Sequence, residues 1–104
     1  MVNLVLTHNL KPGVDTEQFE EWVRTTDYPG MRGLSRVLSF STYRIERLLI
    51  GNGDLPANYV EIFQIKDFES FVTEDMPGDI VESIMGEFMS YVDNPAFMVV
   101  SEIK

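Results

Sequence analysis

A single histidine, His8, is the one side chain in this 104-residue sequence suited to trading a proton near neutral pH. It falls in the run Val2-Asn3-Leu4-Val5-Leu6-Thr7-His8-Asn9-Leu10, whose apolar members alternate. Strand side chains alternate with period two. His8 therefore shares a face with Val2, Leu4, Leu6 and Leu10 and points to the more apolar side of a sheet. A second run, from Tyr59 to Lys66, sets Tyr59, Glu61, Phe63 and Ile65 on one face and Val60, Ile62, Gln64 and Lys66 on the other. The first set is aromatic enough to lie beneath helices, which makes Glu61 the odd member of an apolar face, as His8 is on its own strand. If the two strands are antiparallel neighbours, His8 meets Glu61 or Tyr59 across the ladder, within about 5 Å at Cβ. A carboxylate against an imidazole orients the ring and favours its charged form, as a general base requires. His8 and Glu61 are the candidate catalytic pair. The competing readings are a hydrogen-bonded structural histidine, and a solvated Glu61 should the register slip by one residue.

The candidate pocket residues are Trp22, Tyr59, Arg44, Phe88 and Tyr91. Trp22 and Tyr59 serve equally well as core, and Phe88 belongs to a stripe that is core first and pocket wall second. Five of the eight basic residues, Arg24, Arg32, Arg36, Arg44 and Arg47, fall between positions 24 and 47. They suggest a carboxylate or anion site with Arg44 foremost, or plain charge balance against the 17 acids. There is no cysteine, which removes disulfides, thiolate nucleophiles and zinc-thiolate sites. No phosphate loop, dinucleotide fingerprint or nucleophile elbow is present, so neither a metal nor a cofactor is expected.

A formal charge of −9 repels phosphate backbones and anionic bilayers, so nucleic-acid and membrane partners are not expected. No apolar run approaches the roughly 20 residues of a membrane span. The N-terminus lacks a basic region followed by a small-residue cleavage site, and a cytoplasmic address follows as the expectation. The length suits one domain over residues 1–104.

Six elements must position these groups. Residues 2–10 form a strand, and Lys11-Pro12-Gly13-Val14-Asp15 turns into a helix capped by Asp15, with Gln18 as capping-box partner. That helix carries Phe19, Trp22 and Val23 on one side, and Tyr28-Pro29-Gly30 is expected to stop it. Residues 34–49 read as a long strand with a bulge near Ser39 or Ser41. A loop from Gly51 to Pro56 leads to the strand 58–65. Asp67 caps a short helix that Met76-Pro77-Gly78 interrupts. Asp79 with Glu82 starts a second helix, whose apolar stripe is Ile80, Ile84, Phe88 and Val92. Asn94-Pro95 should end it, leaving 96–103 as the last strand.

This order, strand-helix-strand-strand-helix-strand, is that of the α+β ferredoxin-like βαββαβ sandwich, an antiparallel sheet with both helices on one face. Its other face, with Val5, Val60 and Ile62, is left uncovered, and two such sheets packing face to face make a homodimer. The chain resembles the dimeric α+β barrel superfamily and, within it, the RedY-like proteins of prodiginine pigment biosynthesis. The strand Leu4–Leu10, the Lys11–Asp15 turn, the Phe19/Trp22 helix, Asp27-Tyr28-Pro29 and Arg32-Gly33-Leu34 carry that resemblance. It implies cofactor-free handling of a small aromatic or heterocyclic intermediate, a cyclisation, condensation or dehydration on the bipyrrole branch. Two alternatives stand beside it: a dimeric accessory protein that shields an intermediate or partner enzyme, and a cofactor-free monooxygenase. The superfamily's cyclases often carry their histidine on the second helical segment, where this sequence has none.

Overall fold

The alternating first segment forms β1, Leu4–Leu10, in a computed structural model that describes residues 3–104. Val2 lies outside the described residues. After the turn at Gly13, whose φ of 85° suits glycine, α1 spans Thr16–Trp22. Asp15 caps it, its side chain accepting from the backbone N–H of Glu17 at 3.1 Å.

The expected stop at Tyr28-Pro29-Gly30 is overturned. The chain runs on through a π-helical turn, Val23–Asp27, into α2, Tyr28–Arg32. Pro29 follows directly on that turn, whose wider bonding, with the Tyr28 N–H reaching the Val23 carbonyl, re-phases the helix and carries it past a residue with no N–H.

Three more boundaries differ. β2 is Val37–Arg44, shorter than the expected 34–49, and its extra residue is Leu38, between the pairs Val37–Ile65 and Ser39–Gln64. β3 is Tyr59–Ile65. Asp67, at φ 53°, caps α3, Phe68–Ser70, which passes through a second π turn, Phe71–Asp75. Gly78, not Asp79, caps α4, Asp79–Tyr91. β4, Val92–Val99, begins where α4 ends and so starts before Ala96. Asn94, at φ 51°, and Pro95 form a bulge within it, which is why this pair bends the strand and does not precede it.

The strands lie in the order β2-β3-β1-β4, every pair antiparallel, and this is the ferredoxin-like arrangement. The helices cover one face, where Leu6, Phe19, Phe40, Phe63, Ile65 and Phe71 are buried. Phe40 and Phe63 stack at 4.1 Å between β2 and β3. On the opposite face Val5, Val60 and Ile62 are half-buried while Tyr43 and Met98 are exposed, and no element among the described residues covers them. Among the described residues no helix is long and apolar enough to cross a membrane.

Candidate functional site

Register decides what His8 meets. β1 pairs with β3 so that His8 lies opposite Tyr59 and Leu6 opposite Glu61, which makes His8 and Glu61 diagonal neighbours on the helix-covered face. Long side chains reach across that diagonal. His8 Nε2 stands 2.6 Å from Glu61 Oε2, with both residues almost fully buried. A bond of that length between an imidazole and a carboxyl, out of water, is of the strong, charge-assisted kind.

β4 helps on the other side. Its ladder with β1 jumps from Thr7–Ala96 to Asn9–Asp93, so the Asn94-Pro95 bulge lies across from His8. Bulges re-aim side chains beside functional sites, and proline belongs there because it has no N–H to give the ladder.

The imidazole is boxed by the rings of Phe19, Tyr59 and Phe88, at centroid distances of 5.6, 5.4 and 5.0 Å. Its Nδ1 is buried without a hydrogen-bond partner among the described residues. Orphaned N–H groups are rarer in proteins than unpaired acceptors, so the bonding assigns the proton to Nε2, facing Glu61.

Glu61 opens on a cavity of about 60 Å³ between the sheet and the helices. Leu4, Leu6, Phe63, Ile84 and Phe88 form much of its wall, and among the described residues its only polar lining is Glu61 and Asp27. Asp27 closes the first π turn and is 4% exposed, and its carboxyl makes no hydrogen bond among the described residues. Burial pushes its carboxyl up to about 8, the charge of Glu61 adds to that, and the Arg32 guanidinium only partly offsets it. Arg32 is held elsewhere. Its guanidinium donates to the Phe40 carbonyl at 3.0 and 2.8 Å and stacks 3.6 Å over the Tyr28 ring.

Asp27 is not among the sequence candidates, because it stands directly before the expected helix stop at Tyr28-Pro29-Gly30. The signal was present: Phe19, Val23, Asp27 and Met31 recur every four residues, and all four are buried. A lone acid on an apolar helical stripe is the same anomaly that singled out His8 and Glu61.

The remaining candidates divide. Phe88 lines the cavity. His8 stands one layer behind Glu61 and outside the lining. Trp22, Tyr59 and Tyr91 do not line it either, contrary to expectation, because each is held in the aromatic layer by a second contact. The Trp22 indole N–H donates to Glu87 at 3.2 Å, and Tyr91 packs on Phe19 and Trp22 at 5.7 and 5.4 Å. The Tyr59 hydroxyl donates to Glu20 at 2.7 Å, and burial together with that carboxylate pushes it up to about 12.

Arg44 also lies outside the cavity. Being on the edge strand, it reaches over the sheet rim and gives Glu20 two hydrogen bonds of 2.7 Å each. The Arg44 hydrogen bonds pull Glu20 down to about 2. The arginines mostly serve ion pairs: Arg24 with Glu21, Arg36 with Glu74 and Asp75, Arg44 with Glu20 and Glu46. Among the described residues no three of His, Cys, Asp or Glu are placed to share a metal ion.

Comparison with known proteins places this architecture. HapK from Hahella chejuensis superposes with a TM-score of 0.76 at 23% identity, covering 99% of this chain and 93% of that one. The protein At3g17210 from Arabidopsis thaliana gives 0.81 at 16% identity, over 100% and 97% of the two chains. A dimeric ferredoxin-like protein of unknown function from Thermobifida fusca gives 0.74 at 9% identity, over 97% and 90%. At these identities the likeness is one of fold. Among curated proteins none matches this chain in sequence. The family model described as REDY-like protein HapK matches residues 2–103. Nearly the whole chain is thereby accounted for, and it belongs to the REDY-like HapK family.

Proposed function

We propose that this protein is a cytoplasmic homodimer that guides the cofactor-free cyclisation, condensation or dehydration of a pyrrole precursor in prodiginine synthesis. The observation that carries this reading is the buried His8–Glu61 pair, 2.6 Å apart, with Glu61 opening on an otherwise almost wholly apolar cavity. Such a reaction needs a dry space that restricts competing paths and one group able to move a proton. Glu61 is the member that touches the substrate. His8 donates its Nε2–H to that carboxyl and so holds it in place.

Membership of the REDY-like family and the dimeric state of a ferredoxin-like neighbour support the pathway and the assembly. The test is a reconstituted bipyrrole synthesis followed by mass spectrometry. Product formation should fall by about 10²- to 10⁴-fold with His8→Ala or Glu61→Gln, the worth of a positioned proton-transfer group. Folded variants, checked by circular dichroism, that sustain full product formation would instead make the protein an accessory that shields an intermediate.

A further inference from the structure

Two acids face one small cavity, and only one of them has a partner. Glu61 is tied to His8, whereas the Asp27 carboxyl makes no hydrogen bond among the described residues, in a residue that is 4% exposed. An isolated carboxylate is not tolerated in such surroundings, and a carboxylic acid is. The site therefore presents an acceptor, Glu61 backed by His8, and a donor, the Asp27 O–H, to whatever enters between them. At about 60 Å³ the cavity admits only the reacting end of a molecule.

The cavity continues into a shallower apolar groove, with which it shares Leu4, Phe71, Met76, Met85 and Phe97. Val72, Met76, Met89, Phe97 and Val99 are left open to solvent along that groove. Methionines adapt to irregular apolar shapes. Nothing in either lining offers a positive charge, so an anionic substrate end has no partner here.

We propose that Asp27 is a second catalytic carboxyl, donating its proton to a substrate carbonyl oxygen while Glu61 takes a proton from the adjacent carbon. The substrate is then an uncharged carbonyl compound whose apolar body lies in the groove. This assignment rests on the proton-transfer reading above and adds to it the donor and the substrate class. The step balances without a co-reactant. The α C–H bond breaks and its proton goes to Glu61. Its electron pair becomes the new C=C bond, the carbonyl π pair takes the Asp27 proton, and an enol results. Asp27 ends as the carboxylate and Glu61 as the acid, and the enol is the nucleophile that a cyclisation or condensation uses.

The experiment is deuterium uptake from D2O into methyl hexyl ketone, read by proton NMR with the purified protein. The native chain should exchange the methyl-ketone α-hydrogens, and shortening the alkyl tail should lower kcat/KM about fourfold per methylene removed. The rate should fall as alkalinity ionises Asp27. Asp27→Asn should lose about 10²- to 10⁴-fold and lose that alkaline limb, with Asp27→Glu recovering part of the rate. An infrared band of a protonated carboxylic acid, present at neutral pH, should vanish in step with the activity. The native protein alone supplies this readout, should Asp27→Asn not fold.

Exchange that survives Asp27→Asn with its pH profile unchanged overturns this assignment and leaves Glu61 and His8 standing. A rate indifferent to tail length overturns the substrate class. A native protein that exchanges nothing overturns the assignment together with the proton-transfer reading beneath it.

Discussion

At the scale of single residues, the site is governed by how costly it is to hold two negative charges in one apolar space. Glu61 has the His8 imidazole and Asp27 has no such partner, so the proton stays on Asp27. This has a consequence for stability. Asp27 binds its proton more tightly in the folded chain, with its carboxyl pushed up to about 8 from an ordinary 3.8. A group of this sign stabilises the fold fully below its unfolded value, and that contribution is lost as pH rises through the folded value. The groups facing it are Glu61, Arg32 and, behind Glu61, His8. Thermal denaturation should therefore show Tm falling as pH rises from about 4 to about 8, and Asp27→Asn should flatten that fall. A native profile as flat as the variant's would show Asp27 already ionised. His8 and Glu61 were legible in the sequence because each breaks an alternating apolar pattern. Asp27 breaks a helical one, but the neighbouring Pro29 drew it into a local rule about helix ends.

At the scale of elements, the two π turns and the β4 bulge are what sequence patterns conveyed least, whereas the β2 bulge was expected near Ser39 and lies beside it at Leu38. Local rules treat proline as a terminator, yet Pro29 sits inside a continuous helical segment that the π turn before it re-phases. Pro95 in the same way marks a bulge within β4, and not the end of α4. The strands themselves were legible, since period-two alternation in β1 and β3 reports the face that tertiary packing buries. Spacing within the helical layer is set by a small residue. A Cβ at Gly30 in α2 would collide with Cδ1 of Ile84 on α4, and Ile84 lines the cavity. The far end of an isoleucine can swing aside, so Gly30→Ala should fold with Tm changed by only a few degrees. The displaced methyl should intrude on the cavity and raise KM for methyl hexyl ketone about fourfold, the worth of one methylene of lost space. An unchanged KM would mean that Ile84 yields outward and that α2 does not gauge the cavity.

At the scale of the whole molecule, the sheet separates two apolar regions with different uses. The helix side holds the cavity. On the far side Val5 pairs with Ile62 and Met98, and Val60 with Thr7 and Tyr43, so six neighbours on that face carry no charge in a chain of formal charge −9. A face whose centre carries no charge is what an interface between copies requires, because like charges there would oppose association. The expectation of a covered face came directly from the βαββαβ order, which supplies helices for one side only. His8 and Glu61 were already expected on the helix-covered side of one protomer, and what the sequence reading did not include is the first π turn, whose Asp27 completes the cavity with the sheet between it and the open face. Val60→Arg should accordingly break the assembly while leaving the His8–Glu61 pair intact. Light scattering at micromolar concentration should give twice the 11.9 kDa chain mass for the native protein and a lower mass for the variant. High salt should leave the native dimer in place, since apolar burial is not screened as ion pairs are. A native chain that scatters as a monomer would remove the homodimer, and would leave Val5, Val60 and Ile62 as an apolar face with another kind of partner.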